Sequence, residues 1–234
     1  MSKILKKKAA VLLLSGGLDS CTTLAIMVKQ GFIPFCLSFS YGQKNNIELD
    51  CAKKITAHYN VAHQIITINL KIFGNSSLTT NVEVSKDRVK SDIQKTLPNT
   101  YVPARNTIFL SYALAFAEIN NAFDIFIGAN VLDYSGYPDC RPEYISAFSK
   151  MANLALVKTT TSSHKISIHT PLIQLTKKEI IQKGISLGVN YGLSSSCYDP
   201  KNDRACGRCD ACFFRLEGFK KIGISDPIKY DLKI

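Results

Sequence analysis

The chain has no apolar run long enough to cross a membrane, no low-complexity tract and no internal repeat, which excludes a membrane-spanning protein and a solenoid and leaves a globular enzyme or binding protein. Lys3, Lys6, Lys7 and Lys8 precede an apolar stretch in the manner of a secretory signal. That stretch is too short for a signal core and runs into glycines instead of a cleavage site, so a cytoplasmic location and no membrane partner are expected. The four histidines, His58, His63, His164 and His169, show no i, i+4 pairing or other metal spacing, and structural roles are expected for each. Neither the Walker A spacing with its lysine nor the G-x-G-x-x-G dinucleotide signature is present. Acidic residues are the minority, 18 against 29 basic, for a net charge of +11. Such a balance invites nucleic acid. Only six of the basic residues are arginine, however, and the lysines are scattered, so a solvated surface is expected and direct nucleic-acid binding is not.

What is present begins with Ala9 to Ser20, AAVLLLSGGLDS. Six apolar residues ending in Ser-Gly-Gly read as a buried parallel strand entering a tight loop, and Asp19 and Ser20 open a helical pattern behind it. Glycines that allow close backbone approach, followed by the partly positive start of a helix, make an anion site for phosphate or pyrophosphate, with the hydroxyls of Ser15 and Ser20 as added donors. The loop resembles the pyrophosphate-binding loop of enzymes that split ATP between the α- and β-phosphates.

Beyond the first helix, Ile33 to Ser40 reads as a strand, Asn45 to Tyr59 as a helix and His63 to Leu70 as a third strand. This alternation predicts right-handed crossovers, a parallel sheet, and ligands at the carboxyl ends of its strands, where the glycine loop and Tyr41 to Gln43 fall. Lys71 to Thr100 is polar and irregular and is expected to be a mobile excursion or lid. Regular structure resumes with a helix at Ala104 to Asn120, a strand at Asp124 to Asn130, a helix at Arg141 to Val157 and a short strand around Ile166 to His169. Thr176 and Glu179 have capping-box spacing ahead of a last core helix. Residues 1–189 are expected to form the nucleotide-binding core and 190–234 a tail packed on it.

Of eight cysteines, Cys21, Cys36, Cys51 and Cys140 are isolated and expected as small buried hydrophobes. Cys206, Cys209 and Cys212 form C-x2-C-x2-C, with Cys197 nine residues upstream. Four thiolates complete a tetrahedral zinc shell with no open position, so the site should fold the tail and not do chemistry. Arg204, Arg208 and Arg215 lie close enough in sequence to neutralise the thiolates. The same spacing occurs in iron–sulfur ligation; the upstream fourth cysteine and the absence of a following proline favour zinc.

Three further stretches matter: YVPARNTIFLSYA at Tyr101 to Ala113, GANVLDYSGYPDCRPEYISAF at Gly128 to Phe148, and HTPLIQLTKKEI at His169 to Ile180. With SGGLDS and the cysteine tail, they resemble the 7-cyano-7-deazaguanine synthase family of queuosine biosynthesis, nearly end to end. Ala104 stands where the family pattern has glycine. The resemblance implies an α/β fold with a doubly wound, mostly parallel, Rossmann-like sheet of the PP-loop, or adenine nucleotide alpha hydrolase-like, kind. It also implies a homodimer, and an ATP-dependent ligase that turns 7-carboxy-7-deazaguanine and ammonium into the nitrile with release of AMP and pyrophosphate.

On that resemblance the nucleotide segment is Leu14, Ser15, Gly16, Gly17, Leu18, Asp19, Ser20, Cys21, Thr22, Thr23 and Leu24, with Asp19 helping to hold Mg²⁺. Asp19, Ser20, Arg105 and Arg141 are expected to be catalytic, the arginines pairing with the substrate carboxylate or developing phosphate charge. Tyr134 and Tyr137 are expected to stack on the deazaguanine ring, and Asp133 or Asp139 to accept its N–H edge. The competing readings are a tRNA-modifying enzyme with the same loop, a thiolase or a lysidine-type ligase, and a zinc-ribbon nucleic-acid binder. The first asks for reactive cysteines outside the cluster, and the second leaves SGGLDS unexplained.

Overall fold

The computed structural model describes residues 8–74, 76–132 and 137–231; Asp133 and Tyr134 lie outside the described residues. In chain order the first half contains β1 (Ala9–Leu13), α1 (Leu18–Lys29), β2 (Ile33–Ser40), α2 (Ile47–Tyr59), β3 (Ala62–Thr67), α3 (Lys90–Lys95), α4 (Arg105–Ile119) and β4 (Asp124–Ile127). The second half adds α5 (Pro142–Ala155), α6 (Val157–Thr160), β5 (Ser167–His169), α7 (Lys177–Ser186) and α8 (Asp210–Lys221). The strands lie in the order β3-β2-β1-β4-β5, and each neighbouring pair is parallel. Connections therefore run outward in both directions from β1, and the crevice between the carboxyl ends of β1 and β4 is the switch point where open α/β sheets take their ligands.

Side chains of β1 alternate between two cores. Val11 and Leu13 join Leu37, Phe39 and Ile125 under α4 and α5, where Leu110, Leu114 and Phe148 are buried. Ala10 and Leu12 join Cys36 and Phe126 under α1, α2, α7 and α8, with Leu24, Ile55, Ile181 and Phe219. A strand covered on both faces has no polar side to show, which is why β1 reads as a continuous apolar run. The cleanest local signal is also realised: Thr176 Oγ1 accepts from the Glu179 backbone N–H, and the Glu179 carboxylate accepts from Thr176 N at 2.7 Å.

The segment from Lys71 to Thr100 is not the loose lid that its polarity suggests. Ser76, Ser77, Leu78 and Thr79 are buried, and Asn99 Oδ1 accepts from Ser77 Oγ and Ser85 N. Further on, the segment is pinned to the tail: Lys86 pairs with Asp199 at 2.6 Å, Arg88 with Asp210 at 2.6 Å and Lys90 with Glu217 at 3.2 Å, while Asp87 N donates to Arg208 O. Ala104 holds φ +53°, ψ +22° as the N-cap of α4. This is the left-handed region, in which glycine carries no Cβ penalty. The long helix expected to end at Val157 breaks at Leu156, whose extended backbone separates α5 from α6.

Candidate active site

The glycine loop delivers β1 into α1 with Gly17 as N-cap, a residue with no side chain of its own to cap the helix start. Two of its N–H groups rest on hydroxyls, Gly17 N on Ser15 Oγ and Leu18 N on Ser196 Oγ, both at 3.2 Å. Phosphate oxygens arriving at a helix N-terminus can take over such donors. Gly16 has a different task. At φ +88° its backbone is pressed so closely on α2 that an added Cβ would lie 2.0 Å from Glu48 O, and its own carbonyl accepts from Ser195 N at 3.0 Å.

Asp19, in the first turn of α1, is paired with Lys177 Nζ at 2.7 and 2.9 Å. Lys177 begins α7, the wrong end of a helix dipole for a cation, so the carboxylates of Asp19 and of Glu179 in the capping box offset its placement. The lysine side chain is 12% exposed and the aspartate 30%, so the pair is sheltered behind and open toward a cleft of about 250 Å³.

That cleft is lined by Leu14, Ser15, Gly17, Leu18, Asp19 and Ser20 of the expected nucleotide segment, and by Arg105 and Tyr137. It does not include Cys21, Thr22, Thr23 or Leu24, which are buried in α1; Thr22 Oγ1 is bonded to Tyr191 OH at 2.7 Å. The part of the segment that lines the cleft therefore ends at Ser20. Arg141 is exposed at the N-cap of α5 and is not among the cleft residues. Asp139 is buried, and its carboxylate accepts from Asn106 N at 2.9 Å. It satisfies the first turn of α4 and so holds Arg105, one residue earlier, at the cleft. Tyr137 stacks on Tyr101 with ring centroids 5.6 Å apart and reaches Thr100 with its hydroxyl.

The cleft also contains residues that sequence reasoning missed, among them Lys177, Glu48, Ser196, Tyr198 and Phe214. Lys177 could have been found, since the capping box fixes it as the first residue of α7. Glu48 follows Tyr41 to Gln43 by a few positions and lies in the first turn of α2. Burial pushes its carboxyl up to about 7, and the Arg105 charge pulls partly the other way. Arg105 also faces Tyr41 closely enough for the guanidinium charge to act on its hydroxyl.

The cysteine cluster sits where the tail folds onto α8. The ligand atoms of Cys197, Cys206, Cys209 and Cys212 lie within 4.8 Å of one another and all four residues are buried. Tetrahedral zinc bonds of about 2.3 Å would set sulfurs about 3.8 Å apart; Cys206 Sγ and Cys212 Sγ are 4.0 Å apart. Backbone donors are aimed at sulfur, Cys206 N at Cys197 Sγ (3.1 Å) and Cys209 N at Cys206 Sγ (3.3 Å), from a turn in which Gly207 takes φ +70°. The neutralising arginines are otherwise engaged. Arg215 is 1% exposed and held by Asp226 at 2.6 and 2.9 Å, Arg208 is paired with Asp87, and Arg204 is exposed. Backbone N–H groups do the work expected of those side chains.

The family model described as "Queuosine biosynthesis protein QueC" matches residues 9–223. The chain belongs to this family. It is 56% identical over 97% of its length to the 7-cyano-7-deazaguanine synthase of Desulfatibacillum aliphaticivorans, covering 98% of that relative. With the enzyme of the same name from Geobacter sp. (strain M21) it shares 57% identity over 96% of the chain and 98% of the relative. Among solved structures, the NMN synthetase from Francisella tularensis superposes with a TM-score of 0.51 at 17% identity, covering 94% of this chain and 79% of that one, which shows the fold alone. The span matched by the QueC family model takes in the glycine loop, Glu48, Lys177 and all four clustered cysteines.

Proposed function

We propose that this chain is the ATP-dependent ligase that converts 7-carboxy-7-deazaguanine and ammonia to 7-cyano-7-deazaguanine through adenylated intermediates, releasing AMP and pyrophosphate, in queuosine biosynthesis. The observation that carries this reading is the helix start of the glycine loop at the switch point of the sheet, its N–H groups held only by hydroxyls and faced across one cleft by Lys177 and Arg105. A carboxylate is inert toward ammonia until its oxygen becomes a leaving group, and such activation needs positioned cations and N–H donors where phosphate charge develops. The loop amides, Ser15 and Ser20 would bind pyrophosphate, Lys177 would hold α-phosphate charge, and Arg105 the substrate carboxylate. Mg²⁺ would neutralise the phosphates, and Asp19 is the loop carboxylate placed to hold it, exchanging its ion pair with Lys177 for the metal. Tyr137 supplies a face for the deazaguanine ring.

The four cysteines would hold one structural Zn²⁺, since buried thiols with backbone donors and no open position fit a closed site. Residues 1–189 would form the nucleotide-binding core, and 190–234 would hold the metal and close one wall of the cleft with Ser196, Tyr198 and Phe214. A thiolation reading lacks its nucleophile: Cys140 lines the cleft, but burial and Asp139 push its thiol up to about 11. No helix among the described residues is long and apolar enough to cross a membrane, and the small-molecule substrates are those of the cytoplasm. Ile119, Leu154 and Val157 are 74%, 80% and 68% exposed at the ends of α4, α5 and the start of α6, an apolar face suited to a second copy in a homodimer. The deciding experiment is incubation with ATP, Mg²⁺, ammonium and 7-carboxy-7-deazaguanine, followed by mass analysis. Nitrile and AMP are expected; ADP and orthophosphate would refute the proposal. Asp19→Ala should abolish AMP formation.

A further inference from the structure

Amide formation from ammonium needs a base. At neutral pH the nitrogen source is almost wholly ammonium, which has no lone pair, so one proton must leave before nitrogen can attack the adenylate. Among the described cleft residues there is no histidine. Asp19 is held by Lys177, and Asp139 is buried against the first turn of α4, away from the cleft. Glu48 is the remaining carboxylate in the lining.

Its setting differs from that of the others. α2 brings its first turn against the glycine loop, with the Glu48 backbone in contact with Gly16. The side chain is half-buried on the cleft wall. Among the described residues its carboxylate has no hydrogen bond and no ion pair. Arg105 of α4 faces it closely enough for its charge to be felt, Tyr41 and Cys51 respond to the Glu48 charge in turn, and Lys44, Asp19 and Lys177 share the cleft. An ion pair with Arg105 would have fixed Glu48 as an anion and removed its basicity; the two side chains do not make one.

We propose that Glu48 is the base that takes the proton from incoming ammonium. The N–H bond breaks, its electron pair stays on nitrogen and the proton passes to a Glu48 carboxylate oxygen. The nitrogen pair then forms the C–N bond as the bond from the carbonyl carbon to the adenylate oxygen breaks, its electrons leaving with AMP, and the second proton that the new nitrogen must lose to become the neutral amide passes to the departing phosphate or to solvent. The carboxyl returns its proton to solvent before the next turnover. Burial, by pushing the carboxyl up to about 7, places it where a base is half available and still strong at working pH.

This role rests on the ligase reading, and the test separates the two. In a single turnover without ammonium, Glu48→Gln should release pyrophosphate from ATP and 7-carboxy-7-deazaguanine at close to the wild-type rate, while amide and nitrile formation from ammonium fall by about 10²–10⁴-fold. The acid limb near pH 7 in kcat/KM for ammonium should vanish in that variant. Glu48→Asp should recover part of the rate. Hydroxylamine, already neutral at pH 7, should be converted to the hydroxamate by the Gln variant at near wild-type rate, which a misfolded or merely loosened site would not do. Wild-type nitrile formation and an unchanged acid limb in Glu48→Gln would overturn the assignment. Equal loss with ammonium and hydroxylamine would also overturn it, marking Glu48 as structural. If the wild-type protein releases no pyrophosphate with this acid, the ligase reading itself falls and takes the assignment with it.

Discussion

Replacing Gly16 by alanine tests how the loop is held. The new Cβ would meet three backbone atoms, Glu48 O at 2.0 Å, Ala52 N at 2.8 Å and Glu48 C at 3.0 Å. None is the tip of a flexible side chain, so either α2 or the loop must shift. The residue also sits at φ +88°. The backbone conformation alone costs about 1–2 kcal/mol, and forcing extra volume into a packed contact adds about 1–3 kcal/mol. Gly223 provides the control, because it holds φ +74° with nothing within 4 Å of the added carbon. Gly223→Ala should therefore show the conformational cost by itself. Urea unfolding of the two variants should differ by about 1–3 kcal/mol, and at about 2–4 °C per kcal/mol for a chain of this size the melting points should separate accordingly. Gly16→Ala should also lose ATP-dependent pyrophosphate release, since the shift moves the amides that the proposed function sets against phosphate. Equal stability of the two variants would refute the claim that α2 and the loop are locked by contact.

Ala104→Gly should raise stability by about 0.5–1 kcal/mol in denaturant titrations, because relief of left-handed strain exceeds the added freedom of the unfolded chain. Lys177→Met should lower AMP formation by at least about 10²-fold, as expected for loss of a cation from a charge-stabilising site, with far-UV circular dichroism unchanged. Cys209→Ser should lower bound zinc in elemental analysis and raise hydrogen exchange at residues 84–90, since Lys86 bridges Cys209 and Asp87 N bonds Arg208 O. Glu48 gives a pH prediction with a definite sign: its native carboxyl is raised from 4.5 to about 7, so between those values the native state keeps a proton that the unfolded state has lost. Stability then falls as pH rises through that window, by up to about 3 kcal/mol at 1.36 kcal/mol per unit. Glu48→Gln should flatten that fall in unfolding curves taken from pH 4.5 to pH 8.

The apolar run of β1, the glycines after it and the Thr176–Glu179 box each act over a few residues, so their meaning was legible in order along the chain. So was the cysteine spacing, because a knuckle closes on neighbouring residues. Other readings failed where partners are distant in sequence. The 71–100 segment is polar because it pairs with Asp199, Asp210 and Glu217 of the tail, not because it is free. Sequence alone offers Arg105 and Arg141 alike as cations for the substrate carboxylate or phosphate charge, yet Arg141 is exposed at the N-cap of α5 while Arg105 begins α4 at the cleft. Glu48 gave no signal at all, because an acidic residue in a first helical turn is ordinary.

Local sequence thus determined the elements, the anion-binding loop and the metal-binding knuckle, whose geometry is set by backbone torsions and short-range hydrogen bonds. Tertiary structure alone decided which charges share a cleft. Burial and field depend on what α2, α4 and α7 bring to the carboxyl end of one sheet, and these elements are far apart along the chain. That convergence pairs Asp19 with Lys177, leaves Arg215 to Asp226, and gives Glu48 a proton affinity that its position in the sequence does not disclose.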